Sequence, residues 1–561
     1  MNRILCGIAL ILSISLISIT CAREGFPPGG PRDIFPPFVA ESQPTSGSTE
    51  VSFNISPTFS FNEALETSSI ETNIFISPIV KFGIETDRWN KKIKIKFREF
   101  LKENTTYIIT LGTGIKDNYG NRMSSPYIYA LSTSSQIDHG ILFGKTIYKK
   151  KLTPRTYIWA YDLSKNKIPD PTLTAPDYLT QTDINGTFRF THISPGQYRL
   201  FAFLDQNRDQ KYNYLEPLGV PPRDMMISEK QISDGPIWFQ LTTRQGIISL
   251  ISAQPSHRNE LNIILSRTAE KNQINDKNNY QIQTIEDGLE LDITGIYLNP
   301  NDPRSIKLMT ASQEPQKAYI LTVKGLATNN LTKSKLHFLG SDIEDRSQPK
   351  LLGIHPHNGS HYNQLTTEIV LSFNEPVTFS QKAITINEVT GPNLEYEIYW
   401  RSPNTALIKP LVSLKPKTEY EIKIQSHLIK NMVGLTLDSP SGTSDTISSS
   451  FISIGPEEYG SIGGRIGNNM STGHIEISLF STENSNNTTK VKLNAPGIFQ
   501  FNKISPAKYI LYGYNDTNMN GRYDDGIVSP FLPAERSAIY PDTLAIEPGQ
   551  DIREIELNLT P

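Results

Sequence analysis

Along most of the chain apolar positions alternate with polar ones. In residues 92–97, Ile93, Ile95 and Phe97 alternate with Lys92, Lys94 and Lys96. A period of two puts one set on a buried sheet face and the other in water. The habit returns in Tyr107-Ile108-Ile109-Thr110-Leu111, in Tyr319-Ile320-Leu321-Thr322-Val323 and in Tyr420-Glu421-Ile422-Lys423-Ile424. Turns rich in Gly, Asn and Pro close these runs at short spacing, which predicts short antiparallel strands packed as β-sandwiches. The start of the chain differs. Arg3 supplies a positive charge, and an apolar run extends from Ile4 to Ile19. At about 16 residues the run is short for a membrane span of roughly 20, and it fits a secretory signal. No later stretch approaches about 18 apolar residues.

The pattern repeats itself at a spacing of about 312 residues, the mark of a duplicated structural unit. Pro44-Thr45-Ser46-Gly47 returns as Pro356-His357-Asn358-Gly359, and Ser60-Phe61-Asn62-Glu63 returns as Ser372-Phe373-Asn374-Glu375. Gly186-Thr187-Phe188-Arg189-Phe190 returns as Gly497-Ile498-Phe499-Gln500-Phe501, and Ile193-Ser194-Pro195 as Ile504-Ser505-Pro506. Each copy has two parts.

The first parts, 38–135 and 347–456, carry the Ser-Phe-Asn-Glu strand end, a Leu-x-x-x-Thr-x-Tyr strand start and the turn Asp117-Asn118-Tyr119-Gly120-Asn121. They resemble the bacterial Ig-like domains of S-layer and other surface proteins, which implies tandem β-sandwiches. The second parts, 136–245 and 457–561, carry Thr182-Asp183-Ile184-Asn185-Gly186-Thr187-Phe188-Arg189-Phe190 and Ile193-Ser194-Pro195-Gly196-Gln197-Tyr198. They resemble the transthyretin-like fold of carboxypeptidase regulatory domains, which implies non-catalytic spacer or adhesive modules. Residues 246–346 are either a diverged Ig-like domain or a distinct β fold. Here Leu326-Ala327-Thr328-Asn329-Asn330 echoes the later turn. Ser18-Ile19-Thr20-Cys21 resembles the lipobox of bacterial lipoproteins, although Ser18 and Thr20 depart from that family's Leu and small residue. The resemblance implies a signal peptide over 1–20, lipids on Cys21 and an outer-membrane anchor. Residues 21–37, with Phe26-Pro27-Pro28-Gly29-Gly30-Pro31, then form an extended tether. The expected fold class is all-β, a string of Ig-like modules alternating with transthyretin-like ones.

Composition narrows the function. The 561 residues hold 37% hydrophobic and 20% charged positions, too apolar for disorder. Lys+Arg at 54 against Asp+Glu at 57 leaves a net charge of −3, which argues against a nucleic-acid partner. Of the two cysteines, Cys6 lies in the signal run, so the mature chain has no disulfide and is held by its cores.

The candidate chemistry lies in two loops at the same place in both second parts. Calcium takes six to eight oxygens, and an EF-hand-like loop offers them at positions 1, 3, 5, 7, 9 and 12, with Gly at 6. The first loop supplies Asp205, Asn207, Asp209, Asn213 and Glu216, with Gln210 at the glycine position. The second supplies Asp516, Asn518, Asn520 and Asp524 and has Gly521, but its position 12 is Ile527, with Asp525 the nearest substitute. Two readings stand: a calcium loop that stiffens its module, or an Asx-rich turn whose side chains cap their own backbone. Other features read as structural. His355, His357 and His361 form a solvated turn, Glu63 and Glu375 are strand-end charges facing water, and Trp89 and Trp400 pack on strand faces. No Gly-x-Ser-x-Gly, phosphate loop or His-Glu-x-x-His is present. These residues describe a non-enzymatic, lipid-anchored envelope scaffold for a protein or glycan partner. The alternative is a carbohydrate-binding or adhesive lipoprotein.

Overall fold

The structure, a computed structural model, describes residues 33–559 apart from 231–232, 244–248, 267, 269–275, 325–333, 440–444, 468–473 and 484–487. Cys21, the signal run and the turn at 326–330 lie outside the described residues. The fold is all-β, and no described helix is long and apolar enough to cross a membrane.

Strand Lys92–Phe97 shows how pattern becomes packing. Ile93 and Ile95 are fully buried while Lys92, Lys94 and Lys96 face water. The two isoleucines join Phe59, Tyr107, Ile109 and Tyr129 in one core, where Phe59 meets Tyr129 edge-on at 5.1 Å. The first Ig-like region has seven strands: Val39–Gln43, Thr58–Phe61, Ile74–Ser77, Phe82–Thr86, Lys92–Phe97, Thr106–Leu111 and Tyr127–Ser132. One sheet orders them first-second-fifth-fourth and the facing sheet third-sixth-seventh.

Residues 250–339 follow the same order. Their described strands are Leu250–His257, Glu260–Leu265, Tyr280–Thr284, Ile293–Leu298, Ser305–Thr310, Ala318–Val323 and Ser334–Leu339. They again pair first-second-fifth-fourth and third-sixth-seventh. The later Ig-like region keeps this arrangement and adds a short strand, Ser360–Asn363, beside Thr446–Ser453. All three modules also share one turn. The Tyr107 hydroxyl accepts the Lys102 amide at 2.8 Å, Tyr319 accepts Glu314 at 3.0 Å and Tyr420 accepts Lys415 at 2.8 Å. In each turn the residue three before the tyrosine is left-handed: Asn104 at φ 51°, Gln316 at 58° and Lys417 at 49°. The Leu-x-x-x-Thr-x-Tyr pattern is thus a turn that a buried phenol ties to the following strand.

The second parts also share a topology. Gly140–Tyr148 pairs in parallel with Ser233–Thr243, as Gly460–Ile466 does with Asp551–Leu557. Tyr157–Asp162 pairs antiparallel with Gly196–Phe203, which also takes Pro217–Gly219 and Met225–Ile227. In the later copy His474–Ser481 pairs with Ala507–Asp516, which takes Ser537–Ile539 and Leu544–Ile546.

Packing divides the chain into two compact units. The first holds residues through His139 together with Tyr178–Ile184 and Phe190–Ser194, and the second holds the remainder. Two segments inside the expected 136–245 domain therefore pack with the first unit. Gln181 is one reason: its buried Oε1 accepts the Thr113 amide at 3.1 Å. A second departure lies within the second unit. A string of modules predicts contact between sequence neighbours, yet the amide of Ala534 donates to the carbonyl of Pro221 at 3.2 Å.

Candidate functional site

Each acidic loop leaves the long strand at the middle of its sheet. In the first, Asp205 Oδ1 accepts the Arg208 amide at 2.6 Å and Oδ2 the Gln210 amide at 2.9 Å. Asn207 and Asn213 donate their amide groups to Asp209 Oδ2 at 3.0 and 2.9 Å. Glu216, 5% exposed, accepts the amides of Gln206 at 2.7 Å and Asn213 at 3.0 Å. Gln210 takes the left-handed conformation, φ 62°, that the glycine position demands. The loop then returns Tyr212 over the sheet, 5.7 Å from Phe203.

The second loop makes related contacts, with the acid that takes two asparagine amides at its ninth position, Asp524, rather than its fifth, Asp209. Asp516 accepts Asn520 N at 3.0 Å and Gly521 N at 2.9 Å, with Gly521 at φ 73°. Asn518 and Asn520 donate to Asp524 at 2.5 and 3.1 Å. Tyr523 stands over Tyr514 at 6.1 Å.

The carboxylate missing at Ile527 is Glu535. It is 5% exposed and accepts Thr517 N at 2.6 Å, Thr517 Oγ1 at 2.9 Å and Asp524 N at 3.1 Å. Strand pairing makes it the counterpart of Glu216: Leu218 and Gly219 pair with Phe203 and Ala202, Ser537 and Ala538 pair with Tyr514 and Gly513, and each glutamate stands two residues before its pair. The stretch from Asp524 to Glu535 is eight residues longer than that from Asn213 to Glu216. Counting along the loop therefore missed Glu535, and aligning the strand that follows it would have found it. Asp525 is no substitute ligand, since it accepts the Thr242 hydroxyl at 2.6 Å. Burial pushes the Glu535 carboxyl above its usual range, and the Asn213 amide holds that of Asp209 below it.

A second acidic feature contradicts the expectation of water-facing strand ends. Asp33, Glu63 and Asp117 bring carboxylate oxygens within 4.8 Å of one another, and they form the one such group among the described residues. Burial raises the Glu63 pKa, with further contributions from Asp117 and Asp33. In the later copy an amide replaces the third acid. Asn431 Nδ2 donates to Asp345 at 3.3 Å and lies 3.4 Å from Glu375 Oε2. Burial, then the neighbouring Asp345, push the Glu375 carboxyl up to about 7, while its Oε1 is buried with no hydrogen-bond partner.

This cluster predicts a pH effect. The folded chain keeps on Glu375 a proton that the unfolded chain releases near 4.5. Stability from this group is therefore full below about 4.5 and is lost as pH rises through about 7. Glu375→Gln should flatten that part of the melting profile and raise the melting temperature at pH 8. Parallel wild-type and variant profiles between pH 5 and 8 would sink the assignment.

The remaining candidates divide. His355 and His357 rings lie 5.7 Å apart, and burial holds His355 below its usual value. His361 lies beside Tyr362, and the three histidines line one cavity without bringing their ring nitrogens within 4.8 Å of one another. Trp89 is 67% exposed and Trp400 43%, so neither is packed away. Arg88 lies over the Trp89 ring at 5.3 Å, and Phe379 backs Trp400 at 5.2 Å.

Residues 33–133 and 345–451 match the bacterial Ig-like domain family. The chain thus carries two bacterial Ig-like domains in tandem with further β modules. Among solved structures it is similar to the N-terminal part of the bacterial S-layer protein SbsC, at 9% identity over 37% of this chain and 44% of that one, with a TM-score of 0.16. It is also similar to native alpha-2-macroglobulin from Escherichia coli spanning domains MG0-NIE-MG1, at 14% identity, 48% and 94% coverage and a TM-score of 0.16. An L,D-transpeptidase from Mycobacterium tuberculosis H37Rv follows at 12% identity, 26% and 50% coverage and a TM-score of 0.14. No curated protein matches the sequence.

Proposed function

We propose that the chain is a non-enzymatic envelope scaffold, anchored to the outer membrane by lipid on Cys21, whose Ig-like modules present surfaces to another envelope component. The observation that supports this best is repetition. One seven-strand topology recurs three times among the described residues, and in each copy a buried tyrosine hydroxyl ties the same turn. Scaffolds are built by repeating modules.

Calcium in the two loops is part of the proposal. Asp205, Asn207, Asp209, Asn213 and Glu216 would hold one ion, and Asp516, Asn518, Asn520, Asp524 and Glu535 the other. The donor set fits. The asparagine amides that donate to Asp209 and Asp524 would turn their oxygens inward, and a cation would replace their hydrogens between the carboxylates. Its role would be to stiffen a loop whose tyrosine already covers the sheet.

Crosslinking in living cells, with the tagged full-length chain as bait, tests the scaffold reading. The expected result is one reproducible envelope protein, captured only when Cys21 is intact. Recovery of the bait alone would count against it. The exposed Trp89, in the turn before Lys92–Phe97, and Trp400, on strand Tyr396–Ser402, favour a second reading as a glycan binder. That reading expects retention on polysaccharides, lost in the Trp89→Ala, Trp400→Ala variant.

A further inference from the structure

The eight residues by which the second loop exceeds the first are not idle length. They form a hairpin in which Ile527 and Leu532 exchange backbone hydrogen bonds, both at 2.9 Å. This hairpin and its flanks meet the earlier second module. Asp525 takes the Thr242 hydroxyl at 2.6 Å, and the Arg199 guanidinium lies over the Phe531 ring at 3.5 Å. The Ala534 amide reaches Pro221 O, and Gly526 sits so close to Val220 that an added Cβ would lie 2.9 Å from its Cγ1. Outside the hairpin the same two modules touch through Lys150, whose ammonium lies 3.2 Å from the Phe480 ring centre, and through Trp238, which packs on the last module's core.

The rest of that interface is poorly matched. Arg223 of the earlier module and Arg536 of the later one repel each other. Arg223 Nε is buried with no hydrogen-bond partner, while its other nitrogens hold Asp234 within the earlier module. Like charges and an orphaned polar atom oppose association, because opening returns them to water. The hairpin that only the later copy possesses adds the Arg199–Phe531 contact, and its flanking residues Asp525 and Ala534 make the two hydrogen bonds to the earlier module.

We propose that residues 526–533 are a latch that holds the two second modules closed on each other, and that without it they part. Closure covers an apolar surface made of Val220, Trp238, Phe480 and Phe531. The latch does not depend on the lipid anchor.

The first loop shows that the fold closes without the extra residues, so deleting 526–533 leaves a design already present in the same chain. The test uses the full chain with Cys6→Ser and Cys21→Ser, plus Lys149→Cys and Thr482→Cys beside the Lys150–Phe480 contact. A short bismaleimide should join the two cysteines within one chain. Deleting 526–533 should cut that yield at least tenfold and enlarge the radius of gyration in X-ray scattering. Asp525→Ala with Phe531→Ala is the second variant, expected to cut the yield several-fold if the deletion impairs folding. Equal crosslinking with and without the hairpin would overturn the latch. So would absence of the crosslink in the intact chain, or a crosslink formed only between two chains.

Discussion

Replacing Glu535 with alanine should cost the last module about 2–4 kcal/mol, because hydrogen bonds to a buried charged acceptor are worth about 1.5–3 kcal/mol each and do not add fully. The carboxylate closes the loop from Asp516 to Glu535, receiving Thr517 N and Oγ1 on one oxygen and Asp524 N on the other. Alanine leaves both amides without that acceptor. Glutamine keeps one accepting oxygen and should lose about half as much, since its NH2 cannot accept. Denaturant unfolding of the full chain, followed at the last module's transition, measures both. If calcium binds, it should raise the wild-type transition and leave that of Glu535→Ala unmoved. A Glu535→Ala chain with wild-type stability would remove Glu535 as the partner of Glu216. A calcium response that survives the substitution would move the ion elsewhere.

Tyr420→Ala is expected to be costlier still, at about 3–5 kcal/mol, the usual loss for truncating a large buried aromatic. Tyr420 is fully buried and stacks on Phe451 at 5.5 Å. Its hydroxyl also holds the turn in which Lys417 is left-handed. Tyr420→Phe separates the two roles. It keeps the ring and removes the acceptor of the Lys415 amide, so about 1–3 kcal/mol is expected. Thermal or denaturant melting of the Ig-like transition reads both values. Two variants of equal stability would show that the hydroxyl contributes everything and the packing nothing, contrary to the core described here. The same order should hold for Tyr107 and Tyr319, whose hydroxyls accept the amide five residues back in the same way.

Much of the architecture was legible because it is written locally. Alternation in Lys92–Phe97 sets which side chains face the core, and neighbouring residues suffice to show it. Repetition at constant spacing needs no structure either, and it correctly paired Glu63 with Glu375 and Asp205 with Asp516. What those glutamates meet was not legible. Asp33 and Asp117 reach Glu63 from far along the chain, and Asn431 and Asp345 reach Glu375 likewise. Nothing near either glutamate in sequence marks a partner, so each read as a surface charge. Trp89 and Trp400 failed in the opposite direction. A tryptophan beside a strand looks like core, and only the finished sandwich shows which face is already filled.

By itself, then, the sequence determined the strand periodicity, the duplicated order of modules and the acidic residues of each loop, because all of these are matters of local spacing. The tertiary structure alone decided that the region 250–339 pairs its strands as its neighbours do. It also decided that Glu535 closes the second loop and that two modules far apart in the chain touch. Each of these depends on which strand edges and apolar faces find each other once the chain is compact. Pairing is a long-range choice made by burial and backbone hydrogen bonding, and one strand's own pattern does not specify its partner.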